Sequence, residues 1–299
     1  MTATHEQIDA IIRLALAEDA PWGDLTCEAF VPVDAQATAQ MVAREPGVLS
    51  GIDVFGRVFA LVNGDDAGGP LAPVTFTAHL HNGARFEAGQ ALATVTGPAH
   101  TVLRGERIAL NLTQRMCGVA TMTATYAAAI AGAVSAKGAP VRIVDTRKTT
   151  PGLRALEKQA VRDGGGHNHR YSLSDAVMAK DNHLAVLVQQ GMTVGDAIRA
   201  ARARLPHTTS IEVEVDRLDQ IEEVVAAGVD TIMLDNFTPD QLREGVALVA
   251  GRAWIEASGG ITLATIADVA QTGIDIISVG ALTHSVRNLD LGLDINVTT

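Results

Sequence analysis

The sequence predicts an α/β protein in two parts, a small mixed α+β unit followed by an α/β barrel. Three observations carry this. Beyond residue 120, short β-branched or apolar runs recur at 141–144, 176–179, 211–215, 231–234, 254–257 and 276–279, with helical patterns such as Leu218 to Ala227 and Pro239 to Ala250 between most of them. Such alternation argues for βα units around a parallel sheet, and six units suit a barrel better than an open sheet. Ahead of residue 100 the helical and strand periods are mixed. Third, the runs end in Asp145-Thr146-Arg147-Lys148, Lys180-Asp181-Asn182, Glu214-Val215-Asp216, Asp235-Asn236, Ser258-Gly259-Gly260 and Gly280-Ala281. Polar and glycine residues at strand end after strand end are what an active site on the top face of a barrel requires.

In chain order, Ile8, Ile12, Ala15 and Leu16 share one face of an amphipathic helix over His5 to Glu18, ended by Pro21-Trp22-Gly23-Asp24. Val54, Phe55, Val58, Phe59 and Val62 recur at helical period. Val74, Phe76, Ala78 and Leu80 alternate with polar residues as in a half-exposed strand, and Asn82-Gly83 follows as a hairpin turn. His79 and His81 fall on the polar face of that strand and are expected to be solvated. Asn63 to Pro73, rich in Gly, Asp and Pro, is expected to be a surface loop. Thr101 to Ala133 is Ala- and Leu-rich without proline, which suggests one long helix or two consecutive ones. The domain boundary is expected near 120, giving domains 1–120 and 121–299.

The composition narrows the function. The chain has 299 residues, 47% hydrophobic and 19% charged, enough for a sizeable core. Its start shows no basic segment followed by an apolar one, and no run is long enough to cross a bilayer, so it is expected in the cytoplasm. Cys27 and Cys117 lack the paired spacing of a zinc site or disulfide scaffold and are expected to be structural thiols. Aromatic residues make up only 3%, which removes the stacking platforms of single-strand binders and argues against a nucleic-acid partner. Residues 141–184 hold eight of the 23 Lys and Arg residues and five acids in a chain of net charge −11. A local cation excess on an acidic protein points to a compact anionic ligand rather than a polyanion.

Glu212 and Glu214, two apart in Ile211-Glu-Val-Glu-Val215, point to one face of a strand. If that face lines a barrel, buried acids need a cation or a metal to meet them, or ion pairs with nearby arginines. Asp235 ends the next run. Carboxylates side by side at the rim, with phosphate oxygens completing the shell, are how magnesium is usually held, so Glu214 and Asp235 are candidate metal ligands for a magnesium-bound polyphosphate. Gly259, Gly260 and Gly280 follow the last two strands, where barrels often bind phosphate, although each could be a turn residue. Gly164-Gly165-Gly166 lacks the spacing of a nucleotide fingerprint and is expected to let the backbone swing so that His169 and Arg170 project into the site. Lys148 and Lys180, at strand ends, could also act as Schiff-base nucleophiles.

Taken together, the strings Glu18-Asp-Ala-Pro-Trp-Gly-Asp-Leu-Thr26, Gly105-Glu-Arg-Ile-Ala-Leu-Asn111, Asp145-Thr-Arg-Lys-Thr-Thr-Pro-Gly-Leu-Arg154, Gly164 to Arg170, Lys180-Asp-Asn-His183, Glu212-Val-Glu214, Leu234-Asp-Asn236, Ser258-Gly-Gly260 and Ser278-Val-Gly-Ala-Leu282 resemble those of the quinolinate phosphoribosyltransferases, nearly end to end. Cys117 stands where a serine is common in that family. The resemblance implies an amino-terminal α/β sandwich, whose first helix is able to pack with the barrel, and a carboxyl-terminal incomplete, seven-stranded α/β barrel. It also implies a homodimer with shared active sites. Arg147, His169, Arg170 and Lys180 would bind the two carboxylates of quinolinate, with Arg107 reaching in from the neighbouring subunit. Lys148 would contact phosphoribosyl pyrophosphate. Glu214 and Asp235 would meet ribose and Mg2+, and Ser258, Gly259, Gly260 and Gly280 the 5′-phosphate. Lys148, Lys180, Glu214 and Asp235 would be the catalytic set. The implied reaction is decarboxylating phosphoribosyl transfer giving nicotinate mononucleotide, pyrophosphate and CO2 in de novo NAD synthesis. Its rivals are a Schiff-base aldolase using Lys180 and a paralogue of the same fold, such as the molybdenum-transport-associated protein.

Overall fold

The computed structural model describes residues 3–62, 73–180, 183, 186 and 191–298. Residues 63–72 of the expected surface loop and the strand-end pair Asp181-Asn182 lie outside the described residues. The chain divides into two compact units, Met1–Ala124 with Thr149–Gly165 and Leu282–Thr299, and Thr125–Lys148 with Gly166–Ala281. A single cut near residue 120 therefore misses two later segments that group with the first unit.

In the first unit, helix α1 (His5–Asp19) opens on a reciprocal capping box. The Gln7 N–H donates to Thr4 Oγ1 and the Thr4 N–H to Gln7 Oε1, each satisfying a donor that a helix start leaves open. Ile8 and Ile12 are buried as their period requires, and the neighbouring Asp9 accepts two 2.7 Å bonds from Arg57. That arginine belongs to α3 (Ile52–Val62), so α1 is tied to its own unit. Helix α2 (Leu25–Phe30) is capped by Asp24, whose Oδ1 accepts from the N–H groups of Thr26 and Cys27.

The sheet of this unit runs β12-β1-β5-β3, with β1 (Gln36–Ala43), β3 (Thr75–Ala78), β5 (Ala91–Pro98) and β12 (Leu291–Thr298), all antiparallel. The segment at 74–80 is a strand, but the hairpin expected at Asn82-Gly83 does not form. The turn is present, closed by the Ala84 N–H on His81 O, yet β3 pairs with β5, and β4 (Arg85–Phe86) pairs with β2 (Gly47–Val48). Asn82 is spent on α3: its Oδ1 accepts from the Ile52 N–H at the helix start. Strand β12 pairs with β1 from Ala43↔Leu291 to Gln36↔Thr298, which is why the chain terminus leaves the barrel part. Helix α4 (Ala99–Ala129) is continuous, settling one helix against two.

The second unit is built on a parallel sheet of six described strands in the order β6-β11-β10-β9-β8-β7, where the family resemblance implies seven. These are β6 (Arg142–Val144), β7 (Val177–Ala179), β8 (Ile211–Val215), β9 (Thr231–Asp235), β10 (Trp254–Ser258) and β11 (Ile276–Ser278), each on one of the runs read from the sequence. Successive strands are neighbours from β7 to β11, and the last then pairs with the first, β6. A sheet in which the last strand returns to the first is one that rolls up. Beside the free edge of β6, Val144 forms a single parallel bridge to His167, with the His167 N–H on Ile143 O and the Asp145 N–H on His167 O. Val213, Ile232, Leu234 and Ile277 are fully buried, as strands of a covered parallel sheet should be.

Candidate active site

Because the strands are parallel, their carboxyl ends gather at one end of the sheet. A hollow of about 470 Å³ opens there. It is lined by Thr146, Arg147 and Lys148 after β6, by His169 and Arg170 after the bridge, and by Met178 and Lys180 at β7. Glu214 comes from β8, Met233, Asp235 and Asn236 from β9, Glu256, Ser258, Gly259 and Gly260 from β10, and Ser278 from β11. Ten of the twelve expected site residues are thus brought together. Gly280, two residues past Ser278, is not in the lining, and Arg107 belongs to the first unit. There it lines a separate hollow with Glu18, Asp19, Trp22, Asp24 and Arg104.

The basic loop is positioned by an acid to which the sequence reading gave no role. Asp145, fully buried, accepts from the His169 N–H at 2.9 Å through Oδ1 and from Asn168 Nδ2 at 2.7 Å through Oδ2. Gly164 serves packing rather than swing: a Cβ there would lie 2.3 Å from the Ala120 carbonyl oxygen of α4. Arg170 donates to Ala176 O, and burial followed by repulsion from Arg147 holds its proton affinity below the usual guanidinium range. Two guanidinium groups kept near each other in a partly desolvated site favour an anion between them.

Below them His169 Nε2 lies 3.0 Å from Glu212 Oε2 and 3.5 Å from Glu256 Oε2. The imidazole thus turns Nε2 toward the acids. Burial alone would make it a weaker base, but hydrogen bonds to the two carboxylates outweigh that and hold its pKa up to about 10. Glu212 is pushed up by burial, against the pull of His169. The Arg170 N–H, 2.7 Å from His169 Nδ1, asks instead for an unprotonated Nδ1. The acids prevail, because two buried carboxylates without a cation cost more than one misdirected amide contact. The three ligand atoms lie within 4.8 Å of one another, a spacing a metal could bridge, but the imidazolium already supplies the cation and the cluster is an ion-pair triad. The one sequence signal at Glu256 is the period-2 step that puts it on a strand face with Ser258; its burial against His169 is not written there.

At the rim, Lys180 Nζ pairs with Glu214 Oε2, and Asp235 Oδ2 accepts from Asn236 Nδ2 at 2.7 Å. Glu214 and Asp235 stand on paired strands and offer the hard oxygens that magnesium takes, although an ion there would compete with Lys180 for Glu214. Asn236 sits at φ 60°, and a Cβ on Gly259 would fall 2.2 Å from its Oδ1, so only glycine fits beside it. Beyond Lys148, the loop is anchored by Thr150, whose N–H and Oγ1 donate to the fully buried Glu157, itself paired with Arg115.

Comparison with known families places this constellation. Residues 24–117 match the quinolinate phosphoribosyl transferase N-terminal domain and residues 119–294 its C-terminal domain. The chain belongs to the quinolinate phosphoribosyltransferase family. Among curated family members it is 44% identical over 288 residues to nicotinate-nucleotide pyrophosphorylase [carboxylating] of Mycobacterium leprae, covering 95% of each chain. It is 38% identical to the probable Bacillus subtilis enzyme, covering 98% of this chain and 95% of that one. Among solved structures of the family, NadC from Streptococcus pyogenes superposes with a TM-score of 0.89 at 41% identity, over 100% of this chain and 99% of that one. The family enzyme thus carries its basic loop, rim carboxylates and glycines at the strand ends of one parallel sheet.

Proposed function

We propose that this pocket catalyses the reaction of the named relatives: transfer of the phosphoribosyl group of 5-phosphoribosyl 1-pyrophosphate to quinolinate with loss of CO2, giving nicotinate mononucleotide in de novo NAD synthesis. The observation that carries the reading is the crowding of Arg147 and Arg170, with Lys148 and Lys180, in one hollow of an acidic chain. Arg147, Arg170 and Lys180 clamp the two carboxylates of quinolinate, while His169 adds positive charge from beneath. Lys148 meets the pyrophosphate, Glu214 and Asp235 the ribose hydroxyls, and Ser258, Gly259, Gly260 and Gly280 the 5′-phosphate.

The clamped pyridine points its ring nitrogen at the anomeric carbon, whose bond to pyrophosphate breaks as the new bond to nitrogen forms. Lys148 stabilises the charge that gathers on the departing pyrophosphate. The ring nitrogen is now positive, so the electron pair left when CO2 departs from the adjacent carbon is stabilised, and that carbon takes a proton. Mg2+ held through Glu214 and Asp235 would supply further neutralisation of the pyrophosphate when bound.

We further propose a cytoplasmic homodimer in which Arg107 of each copy completes the other's quinolinate site. No described helix is long and apolar enough to cross a membrane. Trp22, which lines the hollow holding Arg107, is 88% exposed, and Leu25, Phe30 and Val33 are 78%, 82% and 90% exposed. Of these, Trp22 and Leu25 line the hollow that holds Arg107, and exposed apolar side chains beside that arginine suit a covered face.

A test lies in the acceptor. Nicotinate lacks the second carboxylate, so a half-buried guanidinium would lose its anionic partner, and kcat/KM for it is expected to fall by roughly 10⁴-fold relative to quinolinate. Steady-state rates with each acceptor check this, and comparable turnover would contradict it.

A further inference from the structure

The triad beneath the pocket holds more acid than its imidazole needs. One carboxylate neutralises an imidazolium, yet His169 faces two: Glu212 on β8, 7% exposed, and Glu256 on β10, 2% exposed. Oε1 of each has no hydrogen-bond partner among the described residues. A second buried, half-satisfied carboxylate destabilises a fold unless it serves something else. What distinguishes the place is its burial. Arg147 and Arg170 line the same hollow as His169, and burial is the largest influence against a third cation there. Both acids act against that burial, each by a hydrogen bond to the imidazole.

We infer that Glu256 is a positioning residue acting through His169: with Glu212 it keeps the imidazole charged and fixed under the acceptor carboxylates, so that His169 and the adjoining Arg170 hold one arrangement whether or not an anion is bound. The inference rests on the proposed reading of the pocket as the quinolinate site. The groups facing the imidazole are Glu212 from β8, Glu256 from β10 and the Arg170 N–H on its own loop. Asp145 holds the His169 backbone from the end of β6. With the side chain anchored at Nε2 and the main chain at N–H, the direction in which Arg170 leaves the loop is set from both ends. Charge supplied from beneath also costs the enzyme no oxygen of the ligand, because Nε2–H stays on the acids.

The sign of the pH effect follows. A histidine raised from 6.5 to about 10 contributes stability that is fully present below 6.5 and is lost as pH rises through about 10. Removing one acid moves that loss to lower pH. The experiment is a histidine 13Cε1 NMR titration of the full-length protein, with His169 assigned from His169→Gln, in wild type, Glu256→Gln and Glu256→Asp. Quinolinate binding by calorimetry and steady-state kinetics accompany it. In Glu256→Gln the His169 midpoint is expected to fall by about one unit or more, a tenfold change in proton affinity. The KM for quinolinate should rise about tenfold with kcat changed far less, the gap widening between pH 7 and 9. Glu256→Asp should recover part of both and serves alone if the glutamine variant does not fold. An unchanged His169 midpoint in a folded variant, or a loss confined to kcat, overturns the inference. Absence of quinolinate binding to wild type would instead defeat the functional reading, while the titration still judges whether Glu256 sets the state of His169.

Discussion

Replacing Lys180 by methionine is expected to lower kcat/KM for quinolinate by roughly 10³-fold, about 4 kcal/mol of transition-state stabilisation, with little change in thermal stability. Lys180 follows β7, lines the pocket and is exposed, so the fold does not depend on it. Its loss removes one cation from the acceptor clamp and leaves Glu214 anionic without its partner, beside two anionic substrates. Both effects act on the same step and in the same direction. The ion pair also argues against the aldolase reading, because an ammonium donating to a carboxylate has no lone pair with which to attack a carbonyl. Steady-state kinetics and a melting curve on the variant separate chemistry from folding. A borohydride-trapped adduct at Lys180 with a carbonyl substrate would overturn the assignment.

The second large effect is a gain. Arg107→Ala and Arg147→Ala proteins are each expected to be nearly inactive alone, and their equal mixture, after subunit exchange, should recover about a quarter of wild-type sites. In the mixed dimer one site receives both lesions and the other neither, and random pairing makes half of all dimers mixed. The bland reading of Arg107 is a helix arginine balanced by Glu106. Burial pushes the Glu106 carboxyl up and the Arg107 charge pulls it down, but Arg107 forms no ion pair among the described residues and lies among acids and Trp22 in an open hollow. Activity of the mixture after exchange, verified by a mass tag, is the measurement. Mixtures as inactive as their parents would show that Arg107 serves its own chain.

Much of the second unit was legible because a parallel sheet, covered on both faces, writes each strand as a short apolar run, and most of the runs end at or beside a pocket residue. Lys148, Lys180, Glu214, Asp235 and Ser258 were found that way. The first unit was harder. Its hairpin signal at Asn82-Gly83 was a true turn put to another use, since the Asn82 side chain caps α3 and β3 finds its partner in β5. Strand β12 was missed although Leu291, Leu293, Ile295 and Val297 alternate, because pairing with a strand some 250 residues earlier leaves no local mark. Asp145 and Glu256 escaped for a related reason. A buried acid reads in sequence like any other acid, and only the contacts show that one holds the basic loop and the other faces His169.

The most direct test is a product assay. Purified protein is supplied with quinolinate and 5-phosphoribosyl 1-pyrophosphate, with and without Mg2+, and nicotinate mononucleotide and CO2 are followed together. One CO2 for each nicotinate mononucleotide, formed with Mg2+ and strongly reduced when it is chelated, is the expected result. Quinolinate left intact in the complete mixture, by protein shown to be folded and dimeric, would contradict it.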